Sequence, residues 1–189
     1  MTITWTRKMW AVIAAGLLVL AAVAMLALGT GASQAQADPP PIGGEELTNE
    51  GGHEFTDDVR AQVRAKPDGR PMGVANLRDA SNLAVLRITI QPGAQFPWHT
   101  HPGPVLVAVT EGGNGDAFTF VFADDCVERN YAVGEAFVDL GQDVHTAYNP
   151  NEDPTVVIAT FLGADGPLTV PVSPAEEEAL DAKCFGDED

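Results

Sequence analysis

The chain has 189 residues, with 27 acidic side chains against 10 basic ones and a formal net charge of −17. Such an acidic surface repels phosphate backbones and anionic lipid, so no nucleic-acid partner is expected. We interpret the excess negative charge as a source of solubility rather than as a recognition surface.

Residues 1–37 have the features of a targeting segment. Arg7 and Lys8 precede an apolar run of 20 residues at 9–28, and small residues form an A-x-A site at 35–37. This order is typical of a secretory signal peptide that is cleaved after the A-x-A site. The apolar run is also long enough to span a bilayer, so an uncleaved membrane anchor through 9–28 is the alternative. Under either interpretation we expect the rest of the chain to be extracytoplasmic, either secreted or held in the cell envelope.

The remaining chain has the length of one domain, preceded by a linker. Residues 38–52 are rich in Pro, Gly and Glu, which predicts a flexible linker before a domain at 53–189. Within the domain, short apolar and β-branched runs alternate with Gly, Pro, Asn and Asp, and 59–65 and 69–77 can add two early strands. This pattern predicts an all-β sandwich or barrel. The main runs are 82–90, 104–110, 117–123, 126–133, 136–140, 144–148 and 155–162.

One helix is predicted near the C-terminus, at residues 173–183. Ser173 can cap it, Pro174 suits its first turn, and three glutamates follow near its N-terminal end. The predicted domain is therefore all-β with a short C-terminal helix.

Cys126 and Cys184 are the two cysteines of the chain, and both lie in the part expected to be exported. An even count in an oxidising compartment predicts a disulfide, with two buried free thiols as the alternative. A bridge to Cys184 would hold down a tail that would otherwise fray.

The histidines suggest a metal site. His99 and His101 lie one residue apart in "GAQFPWHTHPGP" (93–104), and residues i and i+2 of a strand share a face. With His145, which starts another predicted strand, they could hold Fe(II), our preferred ion, or Zn, Mn, Ni or Cu. An exposed polar pair in a Pro-rich loop is the alternative for His99 and His101. We interpret His53 as a surface residue.

These motifs resemble those of the cupin superfamily, over residues 82–163. The first cupin motif is a glycine, five intervening residues and then H-x-H. The second begins with a glycine and ends in a histidine that is followed four residues later by asparagine. The resemblance implies a small β-barrel with a metal ion held inside by the motif histidines. The matching residues are Gly93, His99 and His101 in the first motif and Gly134, His145 and Asn149 in the second.

One departure from the cupin pattern affects the expected ligand set. Many cupins carry a glutamate ligand four or five residues after the second histidine, where this chain has Val105 and Leu106. The resemblance then implies a neutral three-histidine site with an apolar wall, as in some cupin dioxygenases. A metal-free binding barrel is the alternative.

The histidines should share their pocket with a few further side chains. We expect Gln95, Leu106, Phe120 and Tyr148 to line it, with Gln95 on the histidine side of its segment, and Trp98 to face away.

The predicted function is that of a metal-dependent dioxygenase acting on a small organic molecule. The alternatives are an exported barrel that binds a metal or small ligand without turnover, and an interaction domain with a vestigial site. A homodimer is left open, as the sequence does not decide the oligomeric state.

Overall fold

A computed structural model of the chain describes residues 41–48, 53–67, 69–77, 80, 82–163 and 166–186. The predicted signal peptide or anchor at 1–37 lies outside these residues. Within the described part of the chain, no helix has both the length and the apolar character that a membrane crossing requires.

The described residues form thirteen strands and one helix. The prediction of an all-β domain with a short C-terminal helix is confirmed. The strands are β1 (Ile42–Glu46), β2 (His53–Glu54), β3 (Ala61–Ala65), β4 (Gly73–Leu77), β5 (Asn82–Ile90), β6 (His99–Thr100), β7 (Val105–Glu111), β8 (Asp116–Phe122), β9 (Glu128–Ala132), β10 (Ala136–Asp139), β11 (His145–Tyr148), β12 (Thr155–Leu162) and β13 (Val170–Pro171), and the helix is α1 (Pro174–Phe185).

Two antiparallel sheets enclose the core. One sheet has the order β1-β5-β12-β7-β10, with β2 also paired to β5, and the other has the order β13-β6-β11-β8-β9. Strands β3 and β4 form a separate antiparallel pair. Strand β7 has one apolar face, which is turned towards the core. Val105, Val107 and Val109 are buried on that face, whereas Leu106, on the other face, is exposed. Phe118 and Phe120 of the second sheet join the same apolar core.

The structure corrects the prediction of a linker at residues 38–52. Within that segment Ile42–Glu46 form β1, which pairs antiparallel with β5 so that Ile42 lies opposite Ile90. An edge strand is held mainly by backbone hydrogen bonds, which Pro- and Gly-rich composition does not reveal. Ile42 also packs against the core and extends the apolar wall of the barrel.

Helix α1 begins where the sequence predicts. Ser173 has an extended backbone, and its side chain accepts a hydrogen bond from the Glu176 backbone N–H at 3.3 Å. Pro174 occupies the first turn, where its missing N–H removes no helical hydrogen bond. The helix therefore starts for reasons that are local to the sequence.

Helix α1 is attached to the barrel mainly through a few specific contacts, because none of its residues is buried. The predicted disulfide is present: it joins Cys184 in the last turn of the helix to Cys126 in the turn between β8 and β9. The indole Nε1 of Trp98 donates a hydrogen bond to Asp181 Oδ1 at 2.8 Å. The helix thus covers the outer side of the segment that carries His99.

The turn before β9 contains a carboxylate whose removal should change acid stability. Asp125 accepts two hydrogen bonds from Arg129, at 2.8 and 3.2 Å, which lower the pKa of Asp125 to about 2. Its unfolded pKa is higher, so Asp125 stabilises the fold above about pH 4, and that contribution disappears as the pH falls towards 2. We expect Asp125→Asn to lower the free energy of unfolding by about 1–2 kcal/mol at pH 7 and by almost nothing at pH 2, as measured by urea denaturation.

Asp58→Asn serves as the matched control for that prediction. Among the described residues, Asp58 pairs only with Arg60 at 3.8 Å, and both side chains are largely exposed, so its removal should have little effect at either pH. An equal loss of stability for Asp125→Asn at pH 7 and pH 2 would contradict the assigned role.

Candidate metal centre

The three predicted histidine ligands converge inside the barrel. His99 on β6 lies directly opposite His145 on β11 in an antiparallel pair, and His101 follows two residues after His99. Their ring centroids are 4.4 to 5.0 Å apart. One ligand atom from each ring lies within 4.8 Å of the others. The two strands therefore bring together residues that are more than 40 positions apart in the chain.

Each imidazole is held by a hydrogen bond between its Nδ1 atom and a backbone carbonyl oxygen. A carbonyl oxygen can only accept, so Nδ1 carries the proton and Nε2 is left with a free lone pair. Such second contacts orient metal-binding histidines and select the tautomer that can bind. The three pairs are His99 with Pro97 at 2.6 Å, His101 with Leu168 at 2.7 Å, and His145 with Asp143 at 2.9 Å.

Burial keeps these imidazoles neutral. Removal from water lowers the pKa of His101 to about 4 and the pKa of His145 to about 3, and it also lowers the pKa of His99. At neutral pH all three rings are therefore in the state that a metal ion requires.

Sequence reasoning missed a fourth polar residue, Asp139. It ends β10, and its side chain is 2% exposed. Its Oδ2 atom lies 3.6 Å from His101 Nε2 and 3.5 Å from His145 Nε2. Burial raises the pKa of this carboxyl. The available signal was an aspartate two residues after Phe137 in a predicted strand, because that spacing gives the two residues the same face.

Gly141 fixes both Asp139 and His101. Its N–H donates to Asp139 Oδ1 at 2.9 Å, and its carbonyl oxygen accepts from the His101 N–H at 2.8 Å. Its φ of 85° lies in the left-handed region, and a Cβ at this position would meet the carbonyl oxygen of Gly103. Glycine is therefore required for the turn that places these two polar side chains.

The histidines open onto a largely apolar cavity of about 240 Å³, which lies between the two sheets. Apart from the three histidines, Asp139 and Thr169, its lining is apolar. Phe120 stacks on His145 with ring centroids 4.7 Å apart. Five phenylalanines contribute to the wall: Phe96, Phe118, Phe120, Phe137 and Phe161.

The family model described as "Cupin" matches residues 69–169. The chain belongs to the cupin family. The comparison with curated proteins found no match.

Among solved structures, this cupin is similar to KdgF from Halomonas sp., at 20% identity over 68% of this chain and 85% of that one, with a TM-score of 0.42. It is also similar to the polyketide cyclase RemF from Streptomyces resistomycificus, at 18% identity and a TM-score of 0.42. That match covers 51% of this chain and 66% of RemF, just under two thirds of the length of RemF.

The structure places one of the expected pocket residues of this cupin in the cavity and another outside it. Phe120 lines the cavity, as described above. Leu106 does not: it is 41% exposed on the outer face, because Val105 and Val107 occupy the inward positions of β7. Of the two positions considered for a glutamate ligand, Val105 is therefore the one that faces the cavity with the three histidines.

Gln95 and Tyr148 also lie outside the cavity. The backbone of Gln95 forms an isolated bridge with Tyr148, and the segment before His99 is not a continuous strand, so counting alternate residues back from His99 fails. Phe96 faces the cavity instead. Tyr148 donates a hydrogen bond to Glu128 at 2.7 Å, since residues of β11 alternate and His145 takes the inner face.

Two further expectations concern residues outside the centre. His53, expected at the surface, is exposed on β2. Trp98 faces away from the histidines, as expected, and is fully buried beneath helix α1. Neither residue lines the cavity.

Proposed function

We propose that this cupin is an exported protein that binds a divalent transition metal ion through His99, His101 and His145, beside a pocket for a small apolar molecule. The observation that carries the proposal is the convergence of three buried imidazoles whose Nδ1 atoms are all engaged by carbonyl oxygens. Each ring therefore presents a lone pair on Nε2 to the same small volume.

The donor set fits a transition metal ion. Neutral imidazole nitrogens are ligands for Fe, Zn, Mn, Ni and Cu ions, and a cation relieves the mutual repulsion of lone pairs that face one another. When bound, such an ion with open coordination positions supplies Lewis-acid or redox chemistry. The backbone contacts to Nδ1 hold the rings in place before the ion arrives, which lowers the ordering cost of binding.

The cavity supports a small, mostly apolar ligand. Its volume of about 240 Å³ is below the roughly 300–1,000 Å³ of pockets for drug-sized molecules. The phenylalanine walls exclude water and give the ligand shape-dependent contacts. The polar groups of the lining are few, and most of them belong to the metal centre. A ligand in this cavity would therefore direct a polar group towards that centre and its apolar body towards the phenylalanines.

For the reaction, we propose an Fe(II)-dependent dioxygenase, in which both atoms of dioxygen enter the organic molecule. Three neutral histidines leave coordination positions free, and the apolar wall keeps a ligand beside them in a dry environment. The alternative is a barrel that binds the metal or the ligand without turnover. Oxygen uptake by the metal-loaded protein in the presence of small apolar molecules distinguishes the two, because only the dioxygenase consumes oxygen.

Export rests on the sequence of residues 1–37 and gains some support from the cysteines. A joined pair of cysteines suits an oxidising compartment such as the extracellular space or the periplasm. We propose that the domain acts there, whether released or anchored.

The direct test of metal binding is elemental analysis of protein recovered from its extracytoplasmic location. We expect about one divalent transition metal ion per chain in the wild type and almost none in the His99→Ala, His101→Ala, His145→Ala triple variant. His53→Ala is the matched control and should keep the ion, because His53 is exposed on β2. Wild-type protein with no more metal than the triple variant, even after incubation with Fe, Mn, Ni, Cu or Zn, would refute the proposal.

A further inference from the structure

Only one of the two oxygens of the Asp139 carboxylate accepts a hydrogen bond among the described residues. Oδ1 accepts the Gly141 N–H at 2.9 Å, whereas Oδ2 has no hydrogen-bond donor within reach among the described residues. The residue is 2% exposed, so solvent does not supply the missing donor. A buried polar oxygen without a partner is costly, and it calls for a specific explanation.

Two imidazole nitrogens lie close to Oδ2, and both are themselves acceptors. His101 Nε2 lies at 3.6 Å and His145 Nε2 at 3.5 Å, and the Nδ1 contacts of both rings leave a lone pair on each Nε2. A charged imidazolium–carboxylate hydrogen bond would be about 2.7–2.9 Å long, well below either distance. No hydrogen bond therefore connects these three atoms, and a cation between them would satisfy all of them.

The distances from Oδ2 to the two Nε2 atoms are close to those between neighbouring ligands of one metal ion. Histidine and carboxylate ligands lie about 2.0–2.2 Å from a transition metal, so neighbouring ligands are about 3.0–3.4 Å apart at octahedral and tetrahedral angles. The observed 3.5 and 3.6 Å are within a few tenths of an ångström of that range. Small movements of the side chains would let Oδ2 bind the same ion as His101 and His145.

We infer that Asp139 is a fourth metal ligand, a carboxylate supplied by β10, and this inference rests on the proposed function. Asp139 lies directly opposite Val105 in the β10–β7 pair. Its carboxylate therefore enters the site from β10, next to the inward position on β7 where this chain has an apolar valine. The ligand set is then three imidazoles and one anion. A site with an added carboxylate binds harder ions such as Mn(II) and Fe(II) more favourably than a site with histidines alone does.

The test compares metal affinities of the full-length chain by calorimetric titration with Zn(II) alone and with Mn(II) alone. Asp139→Asn keeps the oxygen that accepts the Gly141 N–H but removes the charge. We expect its affinity to fall on the order of 100-fold for Zn(II), and further for Mn(II). Asp116→Asn is the matched control: Asp116 is exposed at the start of β8, and its replacement should leave both affinities unchanged.

A second measurement separates a ligand from a merely structural residue. In the metal-free protein, Asp139→Asn should leave the urea midpoint unchanged or raise it, because it removes an unpartnered buried charge. A structural role predicts a lower midpoint. A swap variant, Asp139→Val with Val105→Glu, should regain most of the lost affinity, because it returns one carboxylate to the centre from the opposite strand.

The outcomes are distinguishable from a failure of the proposed function. Wild-type affinity in Asp139→Asn, together with loss of binding in the triple histidine variant, overturns the fourth ligand while metal binding itself stands. A wild-type chain that binds neither Zn(II) nor Mn(II) overturns both. Reduced affinity in Asp139→Asn with an unchanged or raised midpoint supports the inference.

Discussion

Removal of the Cys126–Cys184 disulfide is expected to lower the free energy of unfolding by about 4 kcal/mol. The bridge joins residues 58 positions apart, and the chain-entropy model assigns this stabilisation to a loop of that length. The measurement is urea denaturation of the oxidised wild type and of the Cys126→Ser, Cys184→Ser double variant. Equal midpoints with equal slopes would show that the bridge contributes nothing.

The effect should be concentrated at helix α1, because other contacts hold that helix only weakly. It buries no residue. Besides the bridge, the contacts seen among the described residues are the Trp98–Asp181 hydrogen bond, hydrogen bonds from Lys183 to the carbonyl oxygens of Ala123 and Asp124, and contacts of the Phe185 ring with those of Trp98 and Tyr148. In the double variant, the rate of amide hydrogen exchange should therefore increase more in the helix than in the barrel. Lys183→Ala removes two exposed hydrogen bonds and should cost less than about 1 kcal/mol, which makes it a suitable control.

The strands of the barrel were predictable from sequence because alternation and turn residues act locally. The run at 82–90 corresponds to β5 residue for residue, and the run at 155–162 corresponds to β12. Each run combines two local signals: alternating apolar residues that suit one buried face, and turn residues at its end. Strand β1 escaped prediction because five residues containing two glycines and two glutamates carry no such stripe.

The candidate metal centre was only partly predictable, for reasons of sheet geometry. His99, His101 and His145 lie in motifs with recognisable spacing along the chain. Asp139 is placed beside them by the pairing of β10 with β7, and sequence alone does not reveal which strands are neighbours in a sheet. Nor does it decide whether position 105 or 106 faces inwards, because the segment between His101 and β7 is not a regular strand.

That ambiguity leads to a second prediction with a large effect. Val105→Glu should destabilise the metal-free fold by about 3–5 kcal/mol, because it puts a carboxylate into the apolar cavity opposite the buried Asp139. Leu106→Glu, one residue along, should change stability by less than about 0.5 kcal/mol and leave metal affinity unaltered, since Leu106 is 41% exposed on the outer face. Urea denaturation of both variants in a chelating buffer provides the comparison.

Added metal should stabilise these two variants by different amounts. In Val105→Glu a bound ion neutralises two carboxylates that otherwise repel each other, so saturating Zn(II) should raise the midpoint more than it does in the wild type. In Leu106→Glu the shift should equal that of the wild type, because no new ligand reaches the centre. The reverse result, with Leu106→Glu unstable without metal and rescued by it, would mean that β7 presents the opposite face to the histidines. The placement of the site between the two sheets would then be wrong. The two substitutions change adjacent residues to the same side chain, so the contrast between them isolates the direction in which each residue points.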